Sequence, residues 1–294
     1  MLKRIVVLLF FVQFSFGQTS SEYFQSGLDK AKNGDHYGAI ADFTKVIELR
    51  GNRSDLPPLS SASGEALWYS SPYYYRGLSK RKLKDYSGSI SDTNKAIEIN
   101  PNDFYAYLIR GNSKGDLGDH YGAIADLTKA IELEPNFAVA YYNRGITKDD
   151  LGDHYGAIAD YTNAIELEPY NDDIYRSRGI SKKKLKDYYG AIADYTKAIE
   201  LSPISADNYF NRGNEKGYLK DYYGAIADYT KAIELDPNYG IAYFTRGASK
   251  EKLGDMSGAC SDYKIAASFG NTYLSRWEGL KGKINRSLIS ANCN

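Results

Sequence analysis

Hydrophobic and polar positions along this chain fall into short helical stripes that return in one phase. In the segment 138–171, Ala157, Ile158, Tyr161, Ala164 and Ile165 share one face of an amphipathic helix. The pattern predicts a first helix from about Val139 to Leu151, a turn at Gly152-Asp153, and a second helix from about Tyr155 to Leu167. Asp153 is suited to cap the second helix, because its carboxylate can accept the free amide protons of the first turn. Pro169 prevents further helix. Asp160, Asn163 and Glu166 lie opposite the apolar stripe and are expected to form a solvated face.

The same unit recurs through the chain. Pro101, Pro135, Pro169, Pro203 and Pro237 are 34 residues apart, as are Gly77, Gly111, Gly145, Gly179, Gly213 and Gly247. The block G-A-I-A-D-x-T-x-A-I-E-L stands at 122, 156, 190 and 224, with a close copy at 38. A glycine inside a helix costs about 1 kcal/mol relative to alanine. Its recurrence in every unit, Gly27 included, implies that two helices approach too closely there for a side chain.

These residues resemble the tetratricopeptide repeat family: within 34 residues, Gly at position 8, Ala at 20, Tyr or Phe at 24, Ala at 27 and Pro at 32. The resemblance covers about 20–271. It implies an all-α fold, a right-handed superhelical solenoid of seven helix–turn–helix repeats. Position 11, often Tyr in the family, is Lys in all seven units (Lys30, Lys80, Lys114, Lys148, Lys182, Lys216 and Lys250). Their stems are expected to pack while the amines reach water.

The ends and one insertion depart from the repeat. Residues 1–17 read as a secretory signal: Lys3 and Arg4, the apolar run Ile5 to Val12, then small residues at Ser15 and Gly17. Cleavage after Gly17 leaves an exported chain, periplasmic or secreted, with no stable membrane insertion; the alternative is an uncleaved N-terminal anchor. Repeats occupy 18–271, with an insertion at about 54–69 between the first and second units. It opens on Leu56-Pro57-Pro58-Leu59-Ser60-Ser61, and Glu65 to Tyr69 could form a short helical turn. The insertion is either a solvated loop or a fold-back in which Leu56, Leu59, Trp68 and Tyr69 shape a binding surface. Ser71-Pro72 is expected to open the next repeat as N-cap and first helical residue. Residues 272–294 are read as a C-terminal capping helix and tail, with Tyr273, Trp277, Leu280, Ile284 and Leu288 on one face. The chain's two cysteines are Cys260 and Cys293. Cys260 stands where other units have an Ile facing the next repeat, and Cys293 lies just past the capping helix, so a disulfide between them is expected.

Composition narrows the function. The 37 basic and 37 acidic residues balance. Lys80-Arg81-Lys82 and Lys182-Lys183-Lys184 alternate along the chain with Asp149-Asp150, whereas a nucleic-acid track would keep one sign. His36, His120 and His154 share one repeat position, so they do not converge as zinc ligands must. The glycines follow the repeat and form no phosphate-binding fingerprint. No cofactor, metal site or catalytic constellation is indicated. An arginine precedes the first-helix glycine in six units (Arg76, Arg110, Arg144, Arg178, Arg212, Arg246), in phase with aspartates such as Asp126 and Asp160, which suggests a structural ion pair or a solvated face.

The resemblance implies a concave groove lined by first helices at positions 2, 5, 9, 12 and 13. Position 5 reads Phe24, Tyr74, Leu108, Tyr142, Arg176, Phe210 and Phe244. Position 2 adds Tyr105, Val139 and Ile241, and positions 12 and 13 add Arg81, Lys82, Asp149, Asp150, Lys183 and Lys184. Asn112 and Asn214 stand at position 9, but no Lys stands at position 5, so the family's chaperone-tail specificity is not implied. The aromatic stripe either binds a partner or packs between helices. If it binds, Tyr142 and Phe210 should be partly exposed, and Arg176 between them should favour an acidic group. The expected function is a non-enzymatic scaffold for a protein or peptide partner; the alternative is a carbohydrate or surface-polymer binder that stacks sugars on the aromatics.

Overall fold

The computed structural model describes residues 19–51, 64–269 and 293. The proposed signal segment, Leu56 and Leu59 of the insertion, and the proposed capping helix lie outside the described residues. Among the described residues the chain forms fourteen α-helices and no strands. The first helices of the seven repeats are α1 (Ser20–Lys32), α3 (Gly64–Lys82), α5 (Phe104–Asp116), α7 (Ala138–Asp150), α9 (Asp172–Lys184), α11 (Ala206–Tyr218) and α13 (Gly240–Lys252). Their partners are α2 (His36–Arg50), α4 (Tyr86–Ile99), α6 (His120–Leu133), α8 (His154–Leu167), α10 (Tyr188–Leu201), α12 (Tyr222–Leu235) and α14 (Met256–Ser268).

The helices group into two compact units, one ending at Asp119 and one beginning at His120. In the first, α1 packs on α2, α3 on α4, and α2 and α4 pack on the first helix that follows each. In the second, the pairs α7–α8, α9–α10, α11–α12 and α13–α14 stack in order through the same contacts. Within this unit α7 also touches α9, and α11 touches α13, so these first helices share one face.

The turns and caps follow from short-range chemistry. Asp153 ends the turn before α8 and accepts a hydrogen bond from the Gly156 N–H at 2.9 Å. Asp35, Asp85, Asp187, Asp221 and Asp255 do the same at their own helices. The turn residue before the cap adopts a left-handed conformation, with Gly152 at φ 82°. Lys84, Lys186 and Lys220 hold that place in three other turns at φ 63–65°, a conformation that costs an L-residue about 1 kcal/mol or more.

One sequence expectation is corrected here. The second repeat does not begin at Ser71-Pro72: α3 starts at Gly64 and runs on through Pro72. Proline lacks the amide proton for one rung of the helix, and the helix continues across that missing bond. The part of the insertion that includes Trp68 and Tyr69 therefore extends the first helix of repeat two.

Five of the hairpins are closed by contact between the position-8 glycine and a ring at position 24. A Cβ built on Gly145 would stand 2.7 Å from Tyr161 Cε1. Gly27, Gly179, Gly213 and Gly247 meet Phe43, Tyr195, Tyr229 and Tyr263 at 2.8–2.9 Å. The helix cost of glycine is thus offset by a buried ring seated on the backbone. At the C-terminal end, Cys260 and Cys293 are joined as a disulfide, with Cα atoms 5.3 Å apart, beside Phe244 and Tyr263.

Candidate partner-binding face

Beneath the first-helix face runs a ladder of buried charge. Arg144 donates twice to Asp160, at 2.9 and 2.6 Å, and a third time to Thr128 of the preceding repeat at 3.0 Å. Lys148 reaches the other side of Asp160 at 2.8 Å, and the guanidinium lies over the Tyr141 ring. The set recurs as Arg76–Asp92–Lys80, Arg178–Asp194–Lys182, Arg212–Asp228–Lys216 and Arg246–Asp262–Lys250. The third arginine bond goes to Thr44, Thr162, Thr196 and Thr230 respectively. In the first repeat Ser26 takes the arginine's place and donates to Asp42, which Lys30 also pairs.

Two expectations change as a result. Of the two readings of the arginine–aspartate phase, the structural ion pair holds and the solvated face does not: Asp160 is 2% exposed, held by two cations. The position-11 lysines do not simply extend into water, because each of these five neutralises a buried aspartate. Paired and hydrogen-bonded, a buried carboxylate is tolerated; alone it would not be.

The position-5 stripe is mostly packing. Phe210 is 6% exposed, not partly open, with its ring centroid 5.8 Å from Tyr229 and 5.0 Å from Tyr239. Leu108 is buried too. Phe24, Tyr142 and Phe244 are half-buried against the position-24 rings Phe43, Tyr161 and Tyr263. Tyr74 packs on Tyr75 and on Tyr105, which is itself exposed. Arg176 pairs with Asp173 on its own helix, so its charge is already matched. The physical reason is helical phase: position 5 sits over the same ring that covers the position-8 glycine.

Most of the charged candidates at position 12 are also engaged. Arg81 pairs with Asp116, and Lys183 lies 3.3 Å from Glu215. Asp149 accepts from Ser181 and Tyr161 and faces His154 Nδ1 at 2.8 Å. Lys82, Asp150 and Lys184 at position 13 are exposed.

The second unit brings candidates together at two hollows. Asp149, Asp150 and Lys184 line one of about 310 Å³ with Ile146, Ser177 and Ile180. A larger pocket of about 540 Å³ opens between α11 and α13. Buried Phe210 and Tyr229 form its base, with Tyr218, Tyr222 and Ile241 beside them. Lys183 and Lys252 also line it, with the amides of Asn211 and Asn214. Asn214 accepts a hydrogen bond from Tyr229 Oη at 2.9 Å. Tyr218 is exposed and stacks on Tyr188, centroids 5.3 Å apart and planes 10° apart. Sequence reasoning missed Ile146, Ile180, Gly217 and Tyr218. Their signal was present as apolar or small residues at first-helix positions 9, 12 and 13. No group of three His, Cys, Asp or Glu among the described residues is placed to hold a metal ion.

Tetratricopeptide repeat family models match residues 104–137, 138–171, 174–205 and 206–239. The chain carries tetratricopeptide repeats. Solved repeat proteins share the fold. The C-terminal part of a TPR repeat-containing protein from Cytophaga hutchinsonii is 18% identical with a TM-score of 0.69, covering 90% of this chain and 99% of its own. MamA is 25% identical with a TM-score of 0.55, over 60% of this chain and 95% of its own. YrrB, described as a TPR protein with an unusual peptide-binding site, is 22% identical with a TM-score of 0.55, over 62% and 94%. No curated protein matches the chain by sequence. Within these tetratricopeptide repeats, the arginine of the ladder bonds to a threonine of the preceding repeat.

Proposed function

We propose that this chain is an exported, non-enzymatic scaffold that binds a protein or peptide partner on the first-helix face of its repeats. The observation that carries this reading is the second unit's exposed face. There the exposed Ile146 and Ile180 line a hollow with Asp149, Asp150 and Lys184, and a separate aromatic pocket is edged by lysines. Apolar anchors among charged groups of both signs suit an extended chain with its own pattern of side chains. The peptide-binding site described for YrrB, on a similar fold, supports the same use of these repeats. Affinity purification from envelope extract, comparing the parent chain with an Ile146→Glu/Ile180→Glu variant, tests it. A partner lost only with the variant is expected; equal recovery would oppose the reading.

Export is supported by Lys3-Arg4, the apolar run to Val12 and small Gly17, and by a disulfide suited to an oxidising compartment. N-terminal sequencing of protein from its native host should begin at Gln18, and an intact Met1 would contradict export by cleavage. A second reading, binding of a carbohydrate polymer, draws on a different surface. Tyr121, Tyr155, Tyr189 and Tyr223 are the second residues of successive second helices and are all highly exposed. A glycan array separates the two readings.

A further inference from the structure

The helix glycines fall into two kinds. Gly213 is demanded by packing, since a Cβ there would meet the Tyr229 ring at 2.8 Å. Gly217, one turn later on α11, is not: a Cβ there would meet nothing closer than the Tyr229 hydroxyl at 3.7 Å. Other repeats of the same unit carry Asp149, Lys183 and Glu251 at this position. A helix glycine with no steric reason gives up about 1 kcal/mol of helix propensity. What its missing side chain does leave is the pocket between α11 and α13, which Gly217 lines.

The pocket's chemistry is one-sided. Its charged lining groups are Lys183 on α9 and Lys252 on α13, and no carboxylate lines it. Glu215, which faces Lys183, is itself fully buried. Lys252 is exposed. The interior is aromatic, and the Tyr188–Tyr218 stack holds one wall in place before any partner arrives. Its volume lies in the range of roughly 300–1,000 Å³ typical of sites that enclose a ligand group.

We propose that this pocket receives one large apolar side chain of the partner, flanked in the partner's sequence by a carboxylate that pairs with the exposed Lys252. The ligand class is an acidic peptide segment with an aromatic or Leu anchor. The inference rests on the scaffold reading and adds the place, the anchor and the sign of charge. Gly217 is a specificity-determining position, because any side chain there occupies the anchor's space.

The test uses a phage library of random dodecamers panned on the full chain, with enriched peptides then labelled and titrated by fluorescence anisotropy. Enriched sequences should share Trp, Phe or Leu next to Asp or Glu. Gly217→Trp should weaken them at least tenfold and Lys252→Glu several-fold, with helical content unchanged by circular dichroism. Lys252 is exposed, so that second variant keeps the test decisive if Gly217→Trp fails to fold. Enriched peptides without acidic residues, or binding that both variants leave intact, would overturn the proposal. If such binding is lost instead in Ile146→Glu/Ile180→Glu, the pocket is refuted and the scaffold reading stands. A library that yields no binder refutes both.

Discussion

Gly145 has no room for a Cβ because the Tyr161 ring lies against its backbone, with Cε1 only 2.7 Å from where that carbon would be. Tyr161 is almost fully buried, so its ring cannot step aside. Replacing Gly145 with Ala should therefore destabilise its hairpin by about 1–2 kcal/mol, since overpacking outweighs the helix gain of roughly 1 kcal/mol. Gly77 offers the contrast. Its partner at position 24 is Thr93, and an added Cβ would meet its nearest atoms at 3.2 Å. Gly77→Ala should fall within about 1 kcal/mol of neutral. Hydrogen exchange in α7–α8 and in α3–α4 measures both; equal losses would contradict the ring-on-glycine account.

The ladder should couple neighbouring repeats. Thr162 accepts from Arg178 across the junction at 3.1 Å while donating to the Ile158 carbonyl at 2.7 Å. Thr162→Val should cost about 1 kcal/mol by removing that link. Arg178→Met should cost more, about 3 kcal/mol, because it leaves the buried Asp194 with Lys182 alone. In an array of nearest-neighbour contacts the damage should appear first at α8 and α9. Urea unfolding combined with hydrogen exchange reads both effects, and an Arg178→Met loss no larger than that of Thr162→Val would refute the ladder's role.

Glu215 gives the chain a pH-dependent weak point. It stands at position 10, where Ser79, Ser113, Thr147, Ser181 and Ser249 stand elsewhere, and neither carboxylate oxygen has a hydrogen-bond partner. Burial raises its pKa, and Lys183 only partly opposes this. The folded chain then holds the proton to higher pH than the unfolded chain. Stability contributed by the protonated form is lost as pH rises from the unfolded carboxylate range, about 4.3, through the folded value. Glu215→Gln should remove this slope and leave the variant more stable at pH 7 by about 1–2 kcal/mol, with little difference near pH 4. Thermal melts across that interval test it. A variant less stable than the parent at pH 7 would mean that the Lys183 pair outweighs burial.

The disulfide ties residues 33 apart in sequence and restricts the unfolded chain accordingly. Changing both Cys260 and Cys293 to Ser should cost about 2–4 kcal/mol. Mass analysis without reductant should find the bond in exported protein; two free thiols would contradict it.

Much of this is legible in the amino-acid sequence. The 34-residue phase fixed the helix pairs, the Asp153 cap and the crowding at Gly145, because each depends on residues close in sequence or in the same repeat. The face itself was less legible. Position 5 looks open on a helical wheel, yet Phe210 is buried because Tyr229 and Tyr239 close over it from other elements. Asp160 looks solvated by periodicity, yet two cations from the preceding helix bury it. Pro72 reads as a helix start, and α3 instead passes through it. Gly217 stands at position 12, as Gly115 does, and only the surrounding rings make it a pocket.

The claim that the first-helix face binds the partner is tested most directly by site-specific photocrosslinking in the native host. A photoreactive phenylalanine analogue at Asn211 would lie at the pocket on α11; the same group at Tyr155 would lie exposed on the second-helix surface. The account predicts a discrete adduct of one protein or peptide at Asn211 and none of it at Tyr155. Adducts of that partner only at Tyr155, or equally at both, would contradict it.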